Sequence, residues 1–241
     1  MFSVFANPAA ATGLENNNIG LFFDHRYNLA GLSNLAIAGN YNLKHTSLLV
    51  GVSRYGDDLL NQSRCELAIA HKIRNVSLAG GAGYQQIMVA ENGSARNVTF
   101  QFGGIAKLTP NITYGAHIFN LSRSKVSKEK SIYYPVIMRM GFSYAPIKQV
   151  FISAEIEKDS RFNPNFKAGV EYRFNHYLFF RTGINSNPAT ACLGFGFKLK
   201  EWMFDYALAY HNRLGLVHNI GLVFSLPKSQ SEPVTLSTTI P

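Results

Sequence analysis

Charged side chains recur at alternating positions within successive segments of the C-terminal half of the chain: Arg139, Glu155, Glu157, Lys167, Glu171, Arg173, Arg181, Lys198 and Asp205. Large apolar residues occupy many of the positions between them. A period of two is that of a β-strand, whose successive side chains point to opposite faces. These charges therefore share one face, and the chemistry open to them is mutual neutralisation and solvation of something polar. If neighbouring segments run antiparallel, Arg139 meets Glu155, Glu171 meets Arg181 and Lys198 meets Asp205 at similar depths. Such a ladder either cross-braces a wet interior or lines a passage for polar solutes.

The same face of the N-terminal half is small or polar: Asn34, Ala36, Ala38 and Asn40, then Ser47, Gly51 and Ser53, then Ala68, Ala70, Ala79, Gly81 and Gly83. Over the whole inward face bulky apolar residues are few (Phe22, Leu49, Phe119, Ile137, Phe151 and Phe179), which argues against a tunnel for greasy substrates. Catalytic patterns are absent from the sequence. The seven histidines are scattered, with no His-Glu-x-x-His, Cys-x-x-Cys, Gly-x-Ser-x-Gly or phosphate loop. His211, Asp24 and Ser53 fall on the inward face but share no motif. We expect no enzyme, no cofactor and no bound metal.

The elements that position these residues are read from alternation. In Ile132, Tyr134, Val136, Met138, Met140, Phe142 and Tyr144 every second residue is large and apolar; in Trp202, Phe204, Tyr206, Leu208 and Tyr210 the same holds opposite Asp205 and His211. The pattern predicts strands near Ile19–Tyr27, Ser33–Leu43, Thr46–Tyr55, Arg64–Ile73, Val76–Met88, Asn97–Leu108, Ile112–Leu121, Ile132–Tyr144, Val150–Lys158, Asn165–Phe174, Tyr177–Ile184, Ala191–Leu199, Trp202–His211 and His218–Leu226. That is about fourteen strands of membrane-spanning length, an even number. Every second connection is tight, such as Lys44-His45, Arg74-Asn75, Pro146-Ile147-Lys148 and Lys200-Glu201. The others read as longer, such as Gly56–Ser63, Val89–Arg96, Ser122–Ser131 and Asn185–Thr190. Tyr41, Tyr114, Tyr144, Tyr172, Phe174, Trp202 and Phe204 form a belt near the tight turns, and Tyr27, Tyr84, Tyr134 and Tyr210 another near the far rim. The expected fold is all-β: a single transmembrane antiparallel barrel with short periplasmic turns and both termini on the periplasmic side of a Gram-negative outer membrane.

A formal net charge of +9 invites a nucleic-acid reading, but the basic residues are dispersed, which argues against one. Arg123, Lys125, Lys128 and Lys130 cluster in one outer loop, where they suit lipopolysaccharide phosphates or an acidic partner. Cys65 and Cys192 fall on distant strands facing different ways, so a disulfide is not expected. Met1-Phe2-Ser3-Val4-Phe5-Ala6 lacks a basic n-region, which suggests a processed precursor or numbering that begins after a signal. The chain divides into an N-terminal segment 1–17, a barrel 18–226 and a polar, proline-punctuated periplasmic tail 227–241.

Asn7-Pro8-Ala9-Ala10 precedes the first strand. By itself Asn-Pro favours a turn, and in a barrel such a segment can plug the periplasmic mouth, its alanines against the small-residue wall. Together with Leu67-Ala68-Ile69-Ala70-His71-Lys72 and the C-terminal Phe224-Ser225-Leu226, it resembles the opening of the fatty-acid-transporter-like superfamily, and more closely its Bacteroidota branch of PorV, PorQ and PorP/SprF type IX secretion barrels. There is too little chain ahead of the first strand for the long hatch of the true transporters. The resemblance thus implies a non-catalytic accessory subunit of a machine for protein secretion or outer-membrane protein assembly, held among lipid, a larger barrel and periplasmic subunits. The alternative is a channel or carrier for small or hydrophobic solutes.

Overall fold

The computed structural model describes residues 2–91, 93–125 and 133–226. Fourteen antiparallel strands form one closed barrel: β1 (Asn17–Arg26), β2 (Ser33–Asn42), β3 (Thr46–Gly56), β4 (Leu60–Ile73), β5 (Val76–Val89), β6 (Gly93–Lys107), β7 (Ile112–Phe119), β8 (Ile137–Ile147), β9 (Val150–Asp159), β10 (Asn165–Arg173), β11 (Leu178–Ser186), β12 (Ala189–Leu199), β13 (Trp202–His211) and β14 (Gly215–Leu226). Each strand pairs with its sequence neighbours. Closure comes from β1 on β14, in continuous register from Asn17 opposite Leu226 to Arg26 opposite Val217. Closure leaves the sheet without an edge strand.

The period-two alternation decides the faces. Ile19, Leu21 and Phe23 on β1, Val50 and Val52 on β3, Met138, Met140 and Phe142 on β8, and Trp202 and Phe204 on β13 all project outward and are exposed. Leu193 on β12 is 67% exposed. The buried apolar residues lie inside instead, where Ala38, Leu49, Ala68, Ala70 and Ala79 pack on Val4, Ala9 and Ala11 of the N-terminal segment. Apolar side chains facing out and a polar interior invert the order of a water-soluble sandwich. No helix among the described residues is long and apolar enough to cross a membrane.

The connections differ from expectation at the long-connection rim. Strands β4, β5 and β6 continue past their expected ends, so Gly56–Ser63 shrinks to residues 57–59 and Val89–Arg96 to residues 90–92; Asn185–Thr190 becomes Asn187-Pro188. Asn61, Gln62, Ser63, Ser94 and Arg96 read as loop by composition. In a barrel, polar residues beyond an apolar belt keep their backbone groups satisfied by extending the ladder. At Gly56 the chain turns with φ +100°, and a Cβ there would lie 2.0 Å from the Leu60 carbonyl oxygen, a place only glycine can occupy.

Strand β8 is a second correction. It begins at Ile137 rather than Ile132, because Pro135 has no N–H to give a ladder. Tyr134, expected in the outer aromatic belt, instead turns inward, is buried and packs edge-on against Phe119. Tyr41, Tyr84, Tyr114, Tyr144, Tyr172, Phe174, Trp202, Phe204 and Tyr210 are exposed on the outer face.

Candidate functional site

The N-terminal segment runs inside the barrel as two short 3-10 turns, Phe2–Phe5 and Pro8–Gly13. Pro8 suits the first position of such a turn, where an N–H would find no partner. Asn7 caps it, its Oδ1 accepting from the Ala9 N–H at 3.2 Å. The other end of the same carboxamide donates to the carbonyls of Gly104 and Ala116, at 3.2 and 3.1 Å, and so fastens the segment to β6 and β7. A Cβ at Gly103 would fall 2.3 Å from Asn7 Oδ1, so this approach requires glycine. Further along, Thr12 Oγ1 lies 2.7 Å from Ser77 Oγ, and Gln101 donates to the Val4 carbonyl at 3.1 Å. Pro8 and Ala9 are buried against the wall, whereas Ala10 faces open space.

Beneath this segment lies a polar cluster that the sequence reading overlooked. Glu66 on β4 is fully buried, and its carboxylate accepts from Arg64 Nη2 at 3.2 Å, Gln85 Nε2 at 2.6 Å and Gln101 Nε2 at 3.0 Å. His117 Nε2 reaches Gln101 Oε1 at 3.0 Å, and Tyr134 hydrogen-bonds Gln85 and Gln62. Gly83 makes room for it all: a Cβ there would sit 2.3 Å from Glu66 Oε2. The signal was present, since Arg64 and Glu66 share the parity of Ala68 and Ala70.

On the other side of the lumen the charges form two girdles. Nearer the long-connection rim, Arg139 Nε pairs with Glu157 at 2.5 Å, and Lys167 Nζ bridges Glu157 and Glu155 at 3.0 Å each. The expected Arg139–Glu155 pair is not formed. The β8–β9 turn falls at Lys148-Gln149, further along than the sequence suggested, and a bulge sits between Tyr144 and Ile147, so Gly141 faces Glu155 and Arg139 faces Glu157. Nearer the tight-turn rim, Glu171 accepts from Arg173 at 2.7 Å and from Arg181 at 2.8 Å. Arg173 also lies over the Phe151 ring, 3.9 Å from its centre. Arg181 extends to Asp205 as well. Asp205 therefore does not pair with Lys198, which sits one inward layer closer to the rim, opposite Met203, and is exposed. Between the girdles the lining is small: Ser153, Gly169, Gly183, Gly194 and Ala207. A cavity of about 460 Å³ separates Ala6 and Asn7 from this wall at β7–β10.

The two halves of the lumen differ in access to water. Glu66, Gln85 and Thr99 are sealed beneath the N-terminal segment, while Glu155, Lys167, Arg181 and Asp205 keep about a third of their side-chain surface open. In the connection between β7 and β8, Arg123 and Lys125 both lie over the Tyr133 ring, at 4.7 and 5.6 Å; Lys128 and Lys130 lie outside the described residues, as does the tail 227–241. Cys65 is exposed and Cys192 half-buried, both as free thiols. Among the described residues no group of three or more His, Cys, Asp or Glu side chains is placed to hold a metal ion.

No protein-family model and no curated protein matches this chain. Solved structures do. A structure described as the CymD monoaromatic hydrocarbon channel is 14% identical, with a TM-score of 0.74 over 94% of this chain and 93% of that one. The Pseudomonas putida toluene transporter TodX is 11% identical, with a TM-score of 0.66 over 92% and 91% of the two chains. The KdgM porin, also 11% identical, gives 0.51 over 87% and 99%. At these identities the likeness is one of fold: a closed β-barrel in the architecture used by channels and porins.

Proposed function

We propose that this chain is an outer-membrane channel for small solutes, with its apolar outer face in lipid and its passage along β8–β14. The observation that carries the reading is the asymmetry of the lumen. One half is filled by the chain's own N-terminal segment; the other is lined by charges that cancel within each girdle and remain open to water. Neutral girdles with a small-residue zone between them offer hydrogen bonds without a net field, which suits solutes that must enter and leave. The fold likeness to proteins described as channels and porins supports the same reading. The expected role as a secretion or assembly subunit gains no comparable support, and a place in the Bacteroidota PorV-like branch rests on the resemblance of a few short motifs.

The test is reconstitution of the full chain in planar lipid bilayers and in swelling assays with liposomes. Stepwise conductance and solute entry are expected. Folded protein that passes neither ions nor solutes overturns the channel, and its recovery from mild detergent with a larger barrel and periplasmic subunits restores the accessory role.

A further inference from the structure

A second inward cavity, of about 830 Å³, opens at the long-connection rim and is not part of the girdled passage. Its floor is aromatic: Phe2 and Phe5 of the N-terminal segment, with Phe22 of β1 packed on Phe2 at 5.7 Å between ring centres. Its wall carries Arg26 and Arg64, from β1 and β4. From the opposite side of the barrel the β9–β10 connection brings Arg161 and Phe162 to the same space.

The three arginines repeat one arrangement. Each is paired with a carboxylate that is far less exposed than the guanidinium itself. Side-chain exposures are 45% for Arg26 against 5% for Asp24, 24% for Arg64 against 0% for Glu66, and 54% for Arg161 against 16% for Asp159. The carboxylates thus lie behind the arginines and are absent from the lining, whose other polar groups, Asn34, Ser53, Tyr55 and Gln62, carry no charge. Asp24 and Asp159 each engage Nε and Nη2 of their arginine, which leaves Nη1 without a hydrogen bond among the described residues. Each guanidinium also lies over a ring: Arg26 on Tyr55, Arg64 on Phe5 and Arg161 on Phe162, at 5.6, 5.5 and 5.1 Å. Asp24 and Asp159 fix the forks of Arg26 and Arg161, Glu66 holds Arg64 by Nη2 alone, and the rings hold the guanidinium planes.

We propose that this cavity is a binding site for small amphiphilic anions, namely a carboxylate carried on a flat aromatic body. The carboxylate takes the free guanidinium edges, and the aromatic body lies on the phenylalanine floor. A neutral hydrocarbon of the same shape gains only the floor and leaves the arginines without a new acceptor; an organic cation meets three positive edges. The inference deepens the channel reading by naming a solute class, and its meaning for transport rests on that reading.

Calorimetric titration of the full chain in detergent with benzoate, toluene and benzylamine tests it, alongside bilayer conductance of the same preparation. Benzoate is expected to bind at least about tenfold more tightly than toluene, the worth of one charge-assisted hydrogen bond, and benzylamine not at all. Arg161→Gln, on an exposed connection, is expected to weaken benzoate about tenfold while leaving toluene and the melting temperature unchanged; Arg26→Gln is expected to weaken benzoate by the same factor and leave toluene unchanged, but to lower the melting temperature, because it deprives the buried Asp24 of its partner. Arg213→Gln, on the exposed β13–β14 connection and outside the cavity lining, is expected to change nothing. Toluene binding as tightly as benzoate, or benzoate affinity indifferent to both lining variants, overturns the site. Conductance without benzoate binding removes this inference alone; benzoate binding without conductance keeps the site and removes the channel.

Discussion

Arg181 on β11 and Asp205 on β13 form an ion pair across the strand that separates them. They can do so because Gly196, on the intervening β12, has no side chain: a Cβ there would lie 2.6 Å from Asp205 Oδ1 and 3.3 Å from Arg181 Nη1. Arg181 holds Glu171 with its Nε at the same time. One guanidinium thereby neutralises two acids on two different strands, and Arg173 completes a girdle with no net charge.

Neutralising Asp205 unbalances that girdle. Asp205→Asn leaves two arginines facing one carboxylate, so a passage along β8–β14 becomes selective for anions. The reversal potential in a salt gradient is expected to move toward the anion equilibrium potential, and Gly196→Val, which parts the pair sterically, to alter single-channel conductance. A reversal potential identical to the parent's in Asp205→Asn means that ions do not pass this girdle.

Glu66 is the keystone of the sealed half. Glu66→Leu strands the amides of Gln85 and Gln101 and the Arg64 guanidinium in a buried site, and loss of one partner from a buried pair costs roughly 3–5 kcal/mol. Glu66→Gln keeps the shape and one acceptor and is expected to cost less. Thermal unfolding of the two variants in one detergent gives the order; equal melting temperatures would falsify the assignment of a structural role to this carboxylate.

Asn7 fastens the N-terminal segment by two hydrogen bonds, each worth about 1 kcal/mol. Asn7→Ala is expected to raise the population with the segment released by roughly 30-fold, since about 1.4 kcal/mol is a factor of ten. Larger or noisier single-channel currents, together with faster proteolysis near Ala10, are the readout.

The outer face distinguishes lipid from water. Leu193→Arg, near the middle of β12, is expected to destabilise the barrel by about 2–4 kcal/mol in phospholipid vesicles. In a protein surrounded by water an exposed leucine tolerates the same change, so unaltered stability refutes a lipid-facing wall.

Asp57 closes the β3–β4 connection by accepting from the N–H groups of Leu59 and Leu60 at 2.9 and 3.0 Å. These bonds hold its carboxyl below the usual range. A depressed folded value means that the turn's stabilisation is present above the unfolded pKa and is lost as pH falls through the lowered one. Amide exchange at Leu59 and Leu60, corrected for intrinsic rates, is expected to accelerate below that point in the parent. In Asp57→Asn it should show no such step.

The alternation of Trp202, Phe204 and Tyr206 against Met203, Asp205 and Ala207 made the outward face of β13 readable, because side-chain parity is a local property of extended backbone. Strand number and closure followed from repeating that reading along the chain. Glu66 was equally readable by parity and was missed among alanines. Tyr134 was not readable: its spacing matched Met138 and Met140, but Pro135 broke the ladder between them and freed the ring to turn inside.

Left to itself, then, the chain's order of residues settled which side of the wall each strand residue takes and how many times the wall is crossed, since both depend on a two-residue repeat. Antiparallel pairing of neighbouring strands was enough to bring Glu171 to Arg181, but only the folded barrel decided the other partners. Arg139 takes Glu157 because a bulge and a later turn move the register; Arg181 takes Asp205 because a glycine on a third strand leaves the gap; and the N-terminal segment decides which half of the lumen stays wet. Each of these depends on atoms far apart in sequence brought to one depth by closure, and period-two alternation carries no record of depth.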